Sequence, residues 1–281
     1  MFKPNCLIVT LSPEICLKSK QVRIFYEKFL KKNILEYLKF DGVLYSQIVV
    51  RGGRMYIFSE ESEKALVSLK NCFGIYKFAL AQENEISHFD DLVKIGSQTG
   101  AEKLKGTFAV RAKSYDKDIK SKQIQELLGE KILQKSPALK VDLSNPKTQL
   151  NCILIGKKVY FYFEEMPGAK GMPIGTQGVV ALLGKDKCEL KKIAIGLLKT
   201  GCRVLTVDCE LKGVAKWNNC LEPKDISLDE AKDSYAQGRI KSFFCDAKNM
   251  YEKEKIEAKI ETKPFSPLFC ISSLDDFSCL A

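Results

Sequence analysis

Lysine, arginine and cysteine are the candidate functional residue types in this chain. Its 281 residues include 45 Lys and Arg against 35 Asp and Glu, which gives a net charge of +10. Residues 1–180 hold 28 basic and 19 acidic side chains, whereas residues 181–281 hold 17 and 16. A basic front part joined to a nearly neutral rear part is typical of a protein that binds a polyanion. Solvated surface lysines are the alternative explanation of the same charge.

The cysteines predict buried thiols more readily than a metal site. The 11 cysteines form no C-x-x-C pair, which argues against a zinc ribbon or a thioredoxin-like motif. Cys6 and Cys152 lie inside apolar runs, where a reduced thiol packs as a small hydrophobe. The odd number and scattered spacing argue against a disulfide framework, so we expect a cytoplasmic protein. The rear part leaves a metal or sulfur-handling site open, with candidates Cys188, Cys202, Cys209 and Cys220.

Length and composition indicate a globular chain of two or three domains. With 45% hydrophobic residues, the chain can bury substantial cores. Its longest apolar stretches, such as residues 179–183, are far shorter than the roughly 20 residues that span a bilayer, so we expect no membrane partner. The apolar run at the N-terminus is too short for a signal peptide. A single His excludes a site built on several imidazoles.

The elements that must position these residues begin with a small α+β layer over residues 1–72. Residues 21–38 predict an amphipathic helix. Its apolar face comprises Val22, Phe25, Tyr26, Phe29, Leu30, Ile34 and Leu38. A strand at 6–10, a hairpin of 47–50 and 54–58 across Arg51-Gly-Gly, and a short helix at 61–71 complete this layer.

Residues 73–166 predict a second α+β unit. We expect strands at 75–80 and 106–113, helices at 89–97 and 121–133, and a hairpin of 148–155 and 158–163. Ser121 is expected to cap the second of these helices, and Ser136-Pro137 to end it.

A glycine- and proline-rich stretch at 167–178 marks a linker or a loop that uses its backbone. After it the pattern changes to a βαβ unit, with a strand at 179–183, a helix at 188–199 ended by Gly201, and a strand at 203–208. Ser227 and Glu230 match a capping box. Buried strands at 241–245 and 268–272 complete a small parallel α/β sheet over residues 179–281.

The order of these units, together with six short motifs, resembles the tRNA 4-thiouridine synthase (tRNA sulfurtransferase) family. The motifs are SPEICLKSK at 12–20 with VR at 22–23, FGI at 73–75, GTFAVRAK at 106–113, VDLSNP at 141–146, GAKGMPIGT at 168–176 and TGCRV at 200–204. The resemblance implies an α+β ferredoxin-like domain at 1–72, a THUMP domain at 73–166, a Gly/Pro linker at 167–178, and a small α/β Rossmann-like domain of the PP-loop type at 179–281.

The resemblance also implies that the first two domains grip the acceptor arm and single-stranded 3′ end of tRNA. The cationic residues fit that task, because each Lys or Arg on a phosphate adds salt-dependent affinity. Arg111 and Lys113 alternate along one strand face, and Ser121 with Lys122 opens a helix whose N-terminus favours phosphate. The other expected contacts are Lys18, Lys20, Arg23, Asn145, Lys147 and Lys170. Ordinary surface charges, and a plain turn at Asn145-Pro146, remain the alternatives.

The loop that should wrap ATP departs from the family pattern Ser-Gly-Gly-X-Asp-Ser. An ungapped alignment from Gly201 places that loop on residues 185–190 (KDKCEL), so both glycines become Asp186 and Lys187, and the Asp becomes Glu189. Glycine lets backbone N–H groups approach phosphates closely, and carboxylates repel them unless Mg²⁺ or lysines compensate. A shift by one residue recovers Gly184 alone and leaves Lys185 in the loop. We therefore expect a degenerate loop and no cofactor.

Two functions remain open from the sequence. The first is a tRNA-binding protein that presents tRNA to a separate PP-loop or sulfur-transfer enzyme, or acts as a tRNA chaperone. The second is an active tRNA sulfurtransferase that uses ATP and Mg²⁺ through a divergent loop, with Cys188, Cys202 or Cys209 as sulfur carrier. The 103 residues from Val179 onward are fewer than the family's PP-loop domain, and no surrounding motif supports Cys270 or Cys279 as its catalytic cysteine. The resemblance leaves a homodimer possible.

Overall fold

The computed structural model describes residues 2–247, 254–256, 258 and 260. The expected strand at 268–272, Cys270 and Cys279 lie outside the described residues. The chain forms two compact units. The first comprises Met1–Thr10, Val43–Ser68 and Lys77–Pro167, and the second Leu11–Gly42, Leu69–Tyr76 and Gly168–Ala281. In the described part of the chain, no helix has the length and apolar character needed to cross a bilayer.

The front part of the chain contains both helices and strands. In order they are β1 (Cys6–Leu11), α1 (Pro13–Cys16), α2 (Lys20–Phe40), β2 (Gln47–Arg51), β3 (Arg54–Phe58), α3 (Ser62–Leu69), β4 (Ile75–Glu85), α4 (Phe89–Lys103), β5 (Thr107–Ser114), α5 (Ser121–Lys135), β6 (Lys140–Val141), β7 (Thr148–Ile155), β8 (Lys158–Tyr162) and β9 (Met166–Lys170). The expected strands, hairpins and helices are confirmed here, with β4 and α4 longer than expected.

A nine-stranded sheet organises the first unit, in the order β2-β3-β1-β4-β8-β7-β5-β6, with β9 paired to β4. One face of it packs on α4 and α5 through a core that includes Phe108, Leu128 and Phe161. The opposite face carries Tyr56 of β3 and Tyr160 of β8, whose ring centroids are 4.6 Å apart although β1 and β4 lie between the two strands. The sheet therefore curls, and we call this inner surface the concave face.

The second unit contains the parallel sheet expected of the rear part. Its elements are β10 (Val179–Leu183), α6 (Lys187–Lys199), β11 (Arg203–Val207), a 3-10 turn (Ala215–Trp217), β12 (Lys224–Ile226), α7 (Leu228–Ala236) and β13 (Ile240–Cys245). The strands lie in the order β12-β11-β10-β13, and every pair is parallel. The capping box of Ser227 and Glu230 is confirmed. The carboxyl ends of β10, β11 and β13 meet at one edge, where open parallel sheets bind ligands.

Helix α2 belongs to this second unit, and its buried face differs from the expected one. Val22 and Phe25 are exposed, which corrects their assignment to the apolar face. The buried positions are Tyr26, Leu30, Asn33, Ile34, Tyr37 and Leu38. Hydrophobic periodicity alone misassigns this buried face because one of its members, Asn33, is polar. The Asn33 side chain donates to the carbonyl of Ile174 and accepts from the side-chain amide of Asn219.

The glycine-rich stretch is held by backbone hydrogen bonds. Residues 166–170 form β9, and beyond it the amides of Met172 and Gly175 donate to the carbonyls of Lys199 and Gly201. A side chain at Gly171 would collide with the Lys199 carbonyl, and Gly171 has φ +73°, so glycine is required there. The loop thus uses its backbone to pack against the end of α6.

Candidate nucleic-acid interface

The basic side chains of β5 lie on the concave face of the first unit. Arg111 pairs in register with Asn151 and Lys113 with Ile153, and paired residues share a sheet face. Both cations are exposed, as the alternation of the strand predicts. The Lys113 Nζ lies 5.0 Å from the ring centroid of Tyr115, a cation–π distance. The strand therefore presents two cations and an aromatic ring on one side.

The turn at residues 142–147 is fixed by its backbone and leaves its side chains in solvent. The Asp142 carboxylate accepts from the amides of Ser144 and Asn145, at 3.0 and 2.9 Å. The Arg111 guanidinium donates to the carbonyl of Leu143 at 2.6 Å, so Arg111 also anchors this turn. The side chains of Asn145 and Lys147 are exposed. The turn can thus offer a cation and an amide to a ligand without reorganising.

The start of α5 differs from the expected cap. The N-cap residue is Lys120, and the helix has no side-chain cap. Ser121 instead accepts a hydrogen bond from the amide of Ser114 at 2.9 Å, so its expected capping role is wrong. The Lys122 Nζ lies 3.7 Å from a carboxylate oxygen of Glu126, in a pair that is largely exposed and therefore weak. The first amides of α5 are thus not satisfied by a side chain.

A hydrogen-bonded aspartate shapes the loop that enters α5. The Asp116 carboxylate accepts from the amides of Asp118 and Ile119 at 2.9 and 3.1 Å. These two hydrogen bonds stabilise the charged form and lower the pKa of Asp116. The loop therefore keeps a fixed carboxylate beside Lys117 and Lys120, which reduces its local positive charge.

Four expected contact residues lie in the second unit. Lys18 and Lys20 are exposed at the start of α2, whereas Arg23 is half-buried and its Nε lies 3.5 Å from Glu27. Lys170 is exposed and adopts a left-handed conformation with φ +59°. Its carbonyl accepts from the amide of Gly74 at 2.8 Å. Lys18, Lys20 and Lys170 therefore present their charges to solvent.

The loop at residues 184–186 lies at the carboxyl edge of the parallel sheet, between β10 and α6. The Asp246 carboxylate, just after β13, accepts from the amides of Lys185 and Asp186 at 2.9 and 2.8 Å. The Asp186 carboxylate caps α6 by accepting from the amides of Cys188 and Glu189 at 3.0 and 3.3 Å. Four amides that open the loop and helix therefore bind carboxylates of the chain itself.

This arrangement does not fit a nucleotide phosphate. A Cβ on Gly184 would collide with the Asp246 carboxyl, so that glycine serves the aspartate. Glu189 lies in the first turn of α6 and binds Lys192 at 2.8 Å, which raises the pKa of Lys192. A phosphate bound here would lie beside the carboxylates of Asp186 and Asp246, and like charges oppose binding. The amides that would donate hydrogen bonds to the phosphate already donate to these two carboxylates. Asp246 was not singled out from the sequence; its position directly after a buried strand is the signal that would have found it.

Two of the rear cysteines, Cys202 and Cys209, do not have the features of sulfur carriers. Cys202 and Cys209 are buried, and burial raises the pKa of both thiols, with Thr200 opposing at Cys202 and Lys187 at Cys209. A raised pKa disfavours the nucleophilic thiolate. Cys188 is exposed. Among the described residues, no group of three or more His, Cys, Asp or Glu side chains is arranged to hold a metal ion.

Comparisons with known proteins match both front domains. The family model of the ThiI ferredoxin-like domain matches residues 7–79, and that of the THUMP domain matches residues 87–164. A Methanocaldococcus jannaschii protein named "Probable tRNA sulfurtransferase" is 29% identical over 271 residues, which are 92% of this chain and 68% of the relative. A Clostridium acetobutylicum protein of the same name is 34% identical over 182 residues. That alignment takes in 63% of this chain and 45% of the relative, so the chain spans about half the length of the clostridial protein.

Solved structures agree on the fold. A Pyrococcus horikoshii crystal structure superposes with a TM-score of 0.82 at 23% identity, covering 98% of this chain and 99% of its own. A crystal structure described as a 4-thiouridine synthetase–RNA complex with bound ATP superposes with a TM-score of 0.63 at 21% identity, covering 96% of this chain and 78% of its own. The solved structures show the fold, and the ferredoxin-like and THUMP matches with the curated relatives place residues 7–164 in the tRNA sulfurtransferase (4-thiouridine synthase) family.

Proposed function

We propose that this protein binds tRNA and recognises the acceptor arm and the 3′ end through its THUMP region. The observation that carries the proposal is the exposed cationic face of β5 beside the turn at 142–147, within residues matched by the THUMP model. Arg111 and Lys113 share one sheet face, and Lys147 follows the turn that Arg111 anchors. A fixed cationic surface of this kind suits an RNA backbone and its unpaired end.

We also propose that the protein binds tRNA without adenylating it. The Asp246 and Asp186 carboxylates engage four amides that a PP-loop would need for phosphates. The loop has lysines at positions 185 and 187, so Gly184 is its one glycine. The Asp246 carboxyl already lies close to Gly184. We therefore propose no nucleotide cofactor for this chain.

An active tRNA sulfurtransferase is the second candidate, because the curated relatives carry that name. It would require ATP and Mg²⁺ to enter a loop that carries two acidic residues, Asp186 and Glu189. It would also require a thiolate from Cys188, Cys202 or Cys209; burial raises the pKa of Cys202 and Cys209, whereas Cys188 is exposed. The acidic loop works against the chemistry, and burial disfavours two of the three candidate thiols, so we rank this function second.

Partners and location follow from the proposed role. A chain that holds tRNA without activating it can present the RNA to a separate PP-loop or sulfur-transfer enzyme or act as a tRNA chaperone, and a homodimer is compatible with either role. None of the nine cysteines among the described residues forms a disulfide, which supports the cytoplasm as the proposed compartment.

Salt-dependent tRNA binding tests the proposal. A gel shift with a tRNA transcript at rising salt should show affinity that falls steeply, because each phosphate contact releases counterions. Duplex DNA of equal length serves as the matched competitor and should displace tRNA poorly. Affinity that is indifferent to salt, or equal for the two nucleic acids, would contradict tRNA recognition.

A further inference from the structure

The curl of the large sheet brings the β2–β3 hairpin to the end of β5. The Tyr115 hydroxyl donates to the carbonyl of Gly52 at 2.8 Å and accepts from Nη1 of Arg54 at 3.3 Å. In sheet order, β3 and β5 are separated by β1, β4, β8 and β7. The contact therefore closes the concave face across its open side, within the first unit.

The hairpin turn is built for this close approach. Gly52 and Gly53 have φ of +56° and +73°, as a tight two-residue hairpin turn requires. A Cβ on Gly52 would overlap the Tyr115 ring. The glycine at this position thus lets the aromatic ring reach the turn backbone, in addition to allowing the turn.

Two arginines lie directly opposite each other on this hairpin. Arg51 and Arg54 pair in register, and Val49 and Tyr56, two residues away on the same strands, are also paired. Both arginines therefore lie on the concave side with Tyr56. Like charges directly opposite each other across two strands are destabilising. Lys113 adds a third cation, over the Tyr115 ring.

No described carboxylate forms an ion pair with any of these three cations. We call Arg51, Arg54, Lys113 and Tyr115 the hairpin patch. A like-charged pair held in place by glycines and a tyrosine, without a neutralising acid, has the character of a site for an anion. Guanidinium groups match phosphate by paired N–H donors, and lysine adds a point charge.

We propose that the hairpin patch is a phosphate-binding subsite for RNA, with Tyr115 as the positioning residue that holds Arg54. The proposal rests on the tRNA-binding function above and extends the RNA-binding surface beyond β5 to the β2–β3 hairpin. The patch offers guanidinium and ammonium groups, which contact phosphates irrespective of the base sequence. It therefore contributes affinity and register rather than sequence preference.

The first experiment compares the variant R51A/R54A with the charge-matched control K94A/K157A in a tRNA titration at several salt concentrations. Lys94 of α4 and Lys157 of the β7–β8 turn are exposed. We expect R51A/R54A to lower affinity about tenfold or more and to reduce the slope of log affinity against log salt by about 1.5, which corresponds to two lost phosphate contacts. The control should change affinity less than threefold.

A charge-retaining variant separates binding from folding. R51K/R54K keeps both charges, so the salt slope should stay near that of the original protein, with affinity reduced by a few fold because lysine lacks the guanidinium fork. If R51A/R54A loses RNA binding together with its cooperative melting transition, R51K/R54K becomes the deciding variant. An R51K/R54K affinity equal to that of the original protein then overturns the phosphate role of the guanidiniums.

Tyr115 is tested by a double-mutant cycle. Y115F removes the hydroxyl that holds Arg54 and should weaken tRNA binding about threefold in the original protein. In an R54A background the same change should have almost no effect, which a purely structural role would not produce. Equal losses in both backgrounds overturn the positioning role.

The outcomes of the two proposals are distinct. A protein that fails to bind tRNA at all contradicts the proposed function. A protein that binds tRNA with salt dependence, but whose R51A/R54A variant behaves like K94A/K157A, contradicts only the hairpin patch. Binding of an acidic protein at these arginines, with tRNA affinity unchanged, would also overturn the RNA assignment.

Discussion

The Asp246 carboxylate lies 2.8 Å from the amide nitrogen of Asp186, and both residues lie at the carboxyl edge of the parallel sheet. Asp246 follows β13 and Asp186 follows β10, and these strands are neighbours in the parallel sheet. Asp186 in turn caps α6. The two carboxylates thus bind the four amides that open the loop and α6.

Replacing Asp246 should therefore cost stability and leave ATP unbound. D246A removes two hydrogen bonds to a charged acceptor, so we expect the free energy of unfolding to fall by about 2 kcal/mol in urea titration. ATP should still not bind, since Asp186 continues to occupy the next two amides. As a control, D229A removes an exposed aspartate of α7 and should change stability by less than about 0.5 kcal/mol. An unchanged urea midpoint for D246A would show that these hydrogen bonds contribute nothing.

Reversing three exposed charges should weaken RNA binding while the fold survives. Lys18, Lys20 and Lys113 are all exposed, so K18E/K20E/K113E should melt within a few degrees of the original protein. Its tRNA affinity should fall about a hundredfold, because three attractions to phosphate become repulsions. K28E/K94E/K157E makes the same change of charge at other exposed lysines. Similar losses for both variants would mean that only net charge matters.

Arg111 should act on RNA partly through the turn that it anchors. R111K keeps the charge but shortens the reach to the Leu143 carbonyl, so amide exchange at Ser144 and Asn145 should accelerate by about fivefold, equivalent to about 1 kcal/mol. The tRNA affinity should fall a few fold with little change in salt slope. K113R is the control on the same strand face and should leave the turn amides protected. Unaltered exchange in R111K would contradict the anchoring role.

Thiol reactivity should separate the exposed cysteines from the buried ones. Iodoacetamide at pH 8 should label Cys188 and spare Cys202 and Cys209, whose pKa values burial raises. Peptide mass spectrometry measures the extent of labelling at each site, and denatured protein supplies the fully labelled control. Rapid labelling of Cys209 in the folded protein would revive its candidacy as a sulfur carrier.

The same pKa shifts fix the direction of a pH effect. Because the folded protein raises the thiol pKa values above the unfolded value of about 8.5, the stability they contribute is present below that pH. This stabilisation is lost as the pH rises through the pKa values that the two thiols have in the folded protein. Urea midpoints should therefore decline from pH 8 to pH 10 in the original protein, and decline less in C202S/C209S. A midpoint that rises over this interval has the wrong sign for buried thiols.

The order of elements could be predicted from the sequence because each strand and helix has a strong local pattern. The hairpin across Arg51-Gly-Gly and the capping box at Ser227 depend on neighbouring residues, and both are present. The buried face of α2 could not be read in this way, since Asn33 is buried through partners at Ile174 and Asn219 that are distant in sequence. The Ser121 cap was wrong for a similar reason, because the amide of Ser114 occupies its hydroxyl.

The candidate site could be predicted from the sequence where it depends on charge and on the alternation of side chains along a strand. Arg111 and Lys113 could be assigned to one exposed face from the period of the strand, which the sheet register confirms. Tyr115 could not be found, because its role depends on which strands meet in space, whereas Asp246 had a signal in its position directly after a buried strand. The departure of residues 185–190 from the PP-loop pattern was visible in the sequence, whereas the Asp246 carboxylate that binds the Asp186 amide comes from 60 residues away.

Pyrophosphate release in samples where labelled tRNA is shown to be bound tests the central claim most directly. With saturating tRNA, ATP and Mg²⁺, we expect tRNA to be fully bound and no pyrophosphate to form beyond that of a protein-free sample, even at high protein concentration. Pyrophosphate formed in proportion to the protein, over repeated turnovers and only when tRNA is present, would contradict the claim that this chain binds tRNA without activating it.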